Sequence, residues 1–150
     1  MEAGELNGLI LTEFPELRRE YEDDQVLWGG DEYGPTGSYI ICACLLNPYL
    51  RLCLDDDDKG AVQRVFNFLE SLLELGDDYV DNVVAVGVVE MFLYSLSDEM
   101  RDLLGPLARR DYDEMRAWDA EYARRKEAAA QAGGKVSSPP VGDGRAEGSI

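Results

Sequence analysis

The segment Asp55–Gly76, DDDDKGAVQRVFNFLESLLELG, carries the clearest structural signal in the chain. Its apolar residues recur on one helical face, at Val62, Phe66, Leu69 and Leu73. The aspartates Asp55–Asp58 stand where negative charge complements a helix dipole, and Gly76 stands where helices often end. The pattern predicts an amphipathic helix that begins within Asp55–Asp58 and ends before Gly76.

The residues before this segment also favour helix. Pro15, followed by apolar residues four apart, predicts an amphipathic helix over residues 13–24. The glycines of residues 29–38 predict a loop. Residues 39–54 are apolar and leave two alternatives open. We favour helix there because of their composition, while two short strands around Asn47-Pro48 form the alternative.

The residues after this segment predict three more helical stretches. Asp77 or Asp78 caps an element that continues into the apolar run Val83–Tyr94, whose length favours a helix buried on most sides. Ser97 is expected to cap the next helix, and Gly105-Pro106 breaks it before a last helix with Met115, Trp118 and Tyr122 at helical spacing. The Gly-, Ser- and Pro-rich residues 132–150 predict a flexible tail.

These elements predict an all-α protein. We expect residues 1–131 to form a single compact domain of five or six helices, either HEAT-like or an irregular bundle. The alternative is an α+β fold with a small hairpin near residues 39–54. Residues 132–150 are expected to stay outside the domain.

Charge limits the classes of partner. The chain has 31 acidic and 14 basic residues, with a net charge of -17. Residues 1–100 hold 22 of the acids and 5 of the bases. Such a charge repels nucleic acid and anionic membranes, so we expect neither as a partner and favour a basic protein.

No catalytic or cofactor motif is found. The chain has no histidine, which excludes Ser-His-Asp and Cys-His arrangements within it. Counted from Asp55, a calcium loop would need oxygen ligands where Lys59 and Phe66 stand. We therefore predict no catalytic residues, no metal site, no cofactor and no enzymatic activity. Glu90, inside an apolar run, is expected to reach an exposed edge or to pair with a base, the candidates being Arg101, Arg109 and Arg110. The remaining alternative is that it stays protonated and is a perturbed functional acid.

The cysteines and the first residues bear on location. Cys42, Cys44 and Cys53 are an odd number within an apolar stretch, which favours buried free thiols in a reducing compartment. The first six residues are acidic and do not resemble a signal peptide. We expect a cytoplasmic protein.

Two acidic stretches are the candidate partner-binding residues. The first surrounds Trp28, an aromatic side chain of the kind that anchors interfaces. The second is the aspartate run at the start of the quoted segment. The predicted contacts are Asp23, Asp24, Trp28, Asp31, Glu32, Asp55, Asp56, Asp57 and Asp58.

Two stretches also resemble a known group of proteins. They are Phe14–Tyr21, FPELRREY, and Phe68–Glu70 followed by Gly76–Val83 and ending at Glu90. Together they resemble a group of small bacterial proteins of uncharacterised function, some of which are encoded near polymorphic toxin systems. The resemblance implies a bacterial protein of immunity type and assigns no binding residues.

Three functions are compatible with these observations. The first is a non-enzymatic acidic binder, of immunity or antitoxin type, that inhibits a basic toxin. The second is a HEAT-like adaptor or structural module, with a homodimer through Val83–Tyr94 as one form. The third is an enzyme that uses carboxylates and magnesium, which would need several acids to converge in one cleft.

Overall fold

The quoted segment forms helix α4, Lys59–Leu73, whose apolar face lies in the core. The structure is a computed structural model that describes residues 1–27 and 37–133, with the side chains of residues 24–27 not described. Every regular element in these ranges is helical, so the predicted all-α fold is confirmed. No strand occurs in the described part of residues 39–54, and the hairpin alternative is wrong.

Seven helices occur in the described residues, where five or six were expected. They are α1, Ala3–Glu13; α2, Arg18–Leu27, after a 3-10 turn at Pro15–Leu17; α3, formed by Ser38–Ile41, Cys42–Leu46 and Asn47–Asp55; α4, Lys59–Leu73; α5, formed by Asp78–Asn82, Val83–Val88 and Val89–Phe92; α6, Asp98–Arg101; and α7, Pro106–Gly133. The chain divides into two units, residues 1–115 and residues 116–150.

Helix α1 was not predicted. It buries Leu6, Ile10 and Leu11 on one face, but Gly4 and Gly8 weaken its helix propensity and hide the pattern. Aromatic packing then joins the early helices to α4. Phe14 packs edge-on against Phe68, with ring centroids 5.3 Å apart, and the core is continuous from there.

The start of α4 corrects the prediction for the aspartates. Asp55 ends α3, Asp57 has a positive φ of 52°, and Asp58 is the N-cap of α4, accepting a hydrogen bond from the Ala61 N–H at 3.1 Å. Only Asp58 therefore belongs to the start of α4. The left-handed Asp57 lies in the turn that separates α3 from α4.

Helices α3 and α5 each contain a π-helical segment, at Cys42–Leu46 and Val83–Val88. The first directly precedes Pro48, and a wider turn is a common adjustment where a proline would crowd the preceding carbonyl. The two segments meet at Gly87, whose carbonyl accepts a hydrogen bond from Asn47 Nδ2 at 2.8 Å. A Cβ on Gly87 would lie 3.5 Å from the Tyr39 ring.

Residues Val83–Tyr94 are helical or turn, but the prediction that this run is buried on most sides is wrong. Val86, Met91 and Tyr94 are exposed, and the run buries one face only.

The predicted ends of three helices are confirmed. Gly76 has a φ of 66° after α4, while Asp77 caps α5 through the Val80 N–H and Ser97 caps α6 through the Met100 N–H.

Two predicted boundaries, the end of the loop and the start of the tail, differ from those in the structure. The predicted loop over residues 29–38 ends earlier than expected, since α3 begins at Ser38. Its residues 29–36, and residues 134–150 of the predicted tail, lie outside the described residues. Helix α7 extends to Gly133, two residues into the predicted tail. No helix in the described ranges has both the length and the apolarity needed to cross a membrane.

Candidate functional site

Most of the first predicted acidic stretch lies outside the described residues. Asp23 is exposed on α2. The side chains of Asp24, Trp28, Asp31 and Glu32 lie outside the described residues, so their role as contacts stays a prediction.

The second stretch forms an exposed turn between α3 and α4, which we call the acidic turn, Asp55–Asp58. All four side chains are exposed. None of Asp55, Asp56 and Asp57 forms an ion pair with a described residue. A backbone conformation that is uncommon for a residue other than glycine holds Asp57 at the tip.

Two further carboxylates join the acidic turn. Lys59 Nζ forms an ion pair with Glu99 in α6, and Asp98 precedes Glu99 in the same turn of helix. The hydrogen bond that Lys59 Nζ donates to Glu99 Oε1 raises the pKa of Lys59 above its usual value. The acidic turn with Asp98 and Glu99, which we call the acidic patch, thus contains six carboxylates, of which Glu99 and Asp57 act on Lys59. Asp98 and Glu99 lie 40 residues along the chain, so sequence spacing gives no sign of this meeting.

An apolar groove lies beside the acidic patch. Its cavity is about 250 Å³ in volume and lies between the second half of α3 and the 3-10 segment of α5. The lining residues are Ala43, Asn47, Pro48, Leu50, Arg51, Leu54, Met91 and Phe92. Leu54 directly precedes the acidic turn, and the exposed Glu90 precedes Met91 on the opposite wall.

A second cavity, which we call the mixed cleft, has a volume of about 360 Å³ between α4, α5 and α7. Its charged residues are Asp78, Asp81, Arg110 and Asp111. Arg110 and Asp111 approach to 3.8 Å, but burial outweighs this attraction and raises the pKa of Asp111 above its usual value. Asp81 Oδ1 is buried and has no hydrogen-bond partner among the described residues.

Among the residues whose side chains are described, the buried carboxylate is that of Glu70, which the sequence did not single out. Its Oε1 accepts a hydrogen bond from the Leu107 N–H at 2.8 Å, and its Oε2 accepts one from the Ala108 N–H at 2.9 Å. These are the second and third residues of α7, whose N–H groups a capping side chain normally binds. Glu70 therefore caps α7 from α4.

Glu90, by contrast, is exposed, which agrees with the prediction that it reaches an exposed edge. Two of the three arginines that were candidate partners, Arg109 and Arg110, have other contacts. Arg109 pairs with Asp102 at 3.5 Å and with Asp113 at 3.3 Å, and Arg110 pairs with Asp111. The ion pairs of the described residues include none between Glu90 and an arginine.

The cysteines are free thiols, as predicted, but they differ in exposure. Cys42 and Cys53 are buried, and burial raises the pKa of Cys42 to about 12. Cys44 is exposed, so the prediction that all three are buried is wrong. Among the described residues, no group of three or more cysteine, histidine or acidic side chains is arranged to hold a metal ion.

Comparison with known families gives one finding. The model of a domain of unknown function, DUF7674, matches residues 7–119, so the chain belongs to the DUF7674 family. No curated protein and no solved structure matches the chain. This match confirms the prediction that the chain belongs to a family of uncharacterised proteins.

Proposed function

We propose that this DUF7674 protein is a non-enzymatic binding protein whose acidic patch docks a basic partner protein in the bacterial cytoplasm. The form of this role that agrees with the sequence resemblance is an immunity or antitoxin-like inhibitor of a basic toxin. The observation that carries the proposal is the ion pair of Lys59 with Glu99, which connects the exposed acidic turn to the exposed acids of α6.

The arrangement of the cations supports this interpretation. In residues 1–115 four of the eight basic side chains lie in ion pairs: Lys59 with Glu99, Arg64 with Glu13 and Glu16, Arg109 with Asp102 and Asp113, and Arg110 with Asp111. Asp55, Asp56 and Asp57 form no ion pair with a described residue, although Asp57 is near enough to Lys59 to help raise its pKa. Their exposed charges remain available to attract a cationic surface over a range of about 10 Å at moderate salt.

Electrostatic complementarity explains how such a surface would work. A toxin that acts on nucleic acid presents basic residues near its active site, because it must bind phosphates. An acidic surface is attracted to that site, raises the association rate and covers it. Inhibition of this kind needs no catalytic group in the inhibitor.

The test is a pull-down of the product of the gene next to the one that encodes this chain. The first variant carries Asp55→Asn, Asp56→Asn and Asp57→Asn. The control variant carries Glu74→Gln, Glu114→Gln and Glu127→Gln, which changes net charge equally at exposed sites elsewhere. We expect the first variant alone to weaken capture, by about tenfold or more, and salt to weaken capture by the wild type. Capture that is absent, or insensitive to both salt and the first variant, would contradict the proposal.

A further inference from the structure

We propose that the apolar groove between α3 and α5 is the anchor site for a large apolar side chain on a basic segment of the partner. The inference rests on the proposed function and goes beyond it, because it assigns a second part of the interface. The groove supplies the apolar contact, and the acidic turn at its end supplies the charge.

The walls of the groove have the geometry of a side-chain pocket. Asn47, Leu50 and Leu54 are three and four residues apart and so lie on one face of α3, while Met91 and Phe92 form the opposite wall. A volume of about 250 Å³ lies just below the range of roughly 300–1,000 Å³ typical of pockets for drug-sized ligands. The size therefore favours an occupant of one or two protein side chains.

The mouth of the groove is apolar and adaptable. Met91 is 58% exposed, although it is a large apolar residue beside the buried Phe92. Methionine is flexible and common at protein surfaces that bind varied partners. Pro48 and Ala43 are also exposed on the lining, so the exposed apolar surface is continuous with the cavity.

Charges at the groove define the chemistry of its occupant. The α3 wall ends at Leu54, where the acidic turn begins, and the α5 wall carries the exposed Glu90 beside Met91. An apolar side chain in the groove would therefore have carboxylates on both sides. A partner segment with lysine or arginine residues next to a leucine, methionine or aromatic residue complements this arrangement. Arg51 adds one donor to the lining, suited to a main-chain carbonyl of that segment.

An unsatisfied acceptor also lies in the lining. The Asn47 amide donates to the Gly87 carbonyl at 2.8 Å, while Asn47 Oδ1 is buried without a partner among the described residues. Buried polar atoms are normally hydrogen-bonded, so this oxygen is an exception within the wall of the groove. The adjoining π-helical segments are consistent with a binding role. Such segments are rare in proteins overall, and many of those that occur lie at functional sites.

The experiment uses the full chain and two designed peptides of about 18 residues, long enough to form a helix. One is an amphipathic helix of leucine and lysine, and the other replaces its leucines with alanine. We measure their affinities for the wild type, for Met91→Gln and for the control Leu75→Gln, an equally conservative change at an exposed leucine outside the groove. Both sites are exposed, and circular dichroism checks that the variants stay folded.

We expect the wild type to bind the leucine-containing peptide about tenfold more tightly, because apolar area is buried in the groove. Met91→Gln should remove most of this preference, and Leu75→Gln should leave it unchanged. Equal affinity for the two peptides would overturn the groove assignment and leave the acidic-surface proposal standing. No binding of either peptide at low salt would overturn both. A dimer in sedimentation experiments that Met91→Gln abolishes would overturn the assignment in favour of an interface between two copies.

Discussion

Gly105 is the residue at which the packing of α7 tolerates least change. A Cβ at this position would lie 2.5 Å from Glu70 Cδ, a distance that real atoms do not adopt. Gly105 is also the residue before Pro106, where a capping side chain would stand, and glycine has none to offer. The carboxylate of Glu70 takes over the capping role because Gly105 leaves room for it.

We predict that Gly105→Ala lowers the free energy of unfolding by about 2 kcal/mol through this clash. Glu70→Ala should cost about 2–4 kcal/mol, since it leaves two N–H groups of α7 without acceptors. In the double variant the clash disappears, so the losses should be strongly non-additive. Gly105→Ser in the Glu70→Ala background should recover about 1 kcal/mol by supplying a local cap. Urea denaturation measures all four, and additive losses would contradict the close approach.

Asp111 gives a prediction about pH. Burial raises the pKa of its carboxyl group, so the folded state binds the proton more tightly than the unfolded chain. Ionisation above that pKa therefore opposes folding, and Arg110 offsets only part of the effect. Asp111→Asn should be more stable than the wild type at pH 7, and the difference should shrink as the pH falls through the pKa of folded Asp111. Glu90→Gln, at an exposed carboxylate, is the control. Equal stability of Asp111→Asn and wild type at pH 7 would contradict this cause.

Among the elements, the turn between α3 and α4, which we propose as a binding surface, has features that lower the stability of the fold. Four adjacent carboxylates repel one another, and Asp57 has a φ of 52°, which glycine adopts more readily. Binding surfaces often retain such unfavourable features because function depends on them. The proposed role of the acidic turn accounts for aspartate at a position where glycine would suit the backbone.

Asp57→Gly should therefore raise the free energy of unfolding by about 1 kcal/mol, through both the backbone and the charge. Asp57→Asn, which changes the charge but keeps a side chain, should raise it by less. Thermal and urea unfolding at low salt measure the two effects separately. A loss of stability in Asp57→Gly would show that the aspartate side chain, rather than the turn geometry, stabilises this connection.

Sequence patterns located most helices but not their internal geometry. The spacing of Val62, Phe66 and Leu69 indicated the buried face of α4, and single residues such as Gly76 and Ser97 marked ends that the structure confirms. The π-helical segments Cys42–Leu46 and Val83–Val88 could not be recognised, because nearly every residue in them is apolar and no periodicity remains to be read.

On the scale of the whole molecule, the candidate site depends on contacts between distant residues. The aspartate run was identified from sequence because its members are adjacent. The ion pair of Lys59 with Glu99, the groove between α3 and α5, and the capping of α7 by Glu70 each join segments about 40 residues apart. Burial of Glu70 rather than Glu90 also follows from packing, since both carboxylates lie among apolar residues in the sequence.

Helix α7 is continuous from Pro106 to Gly133, but its side chains are buried only in the part before Met115. Its buried residues, Ala108 and Tyr112, both precede Met115, and no residue from 116 to 133 is buried, although Trp118 and Tyr122 stack with ring centroids 5.9 Å apart. A helical stretch of that length without a core is only marginally stable in water. Amide protons before Met115 should therefore exchange with deuterium only on global opening, while those after it exchange through local fraying, orders of magnitude faster. Slowed exchange after residue 116 on addition of a binding partner would identify this half of α7 as a segment that becomes rigid in the complex.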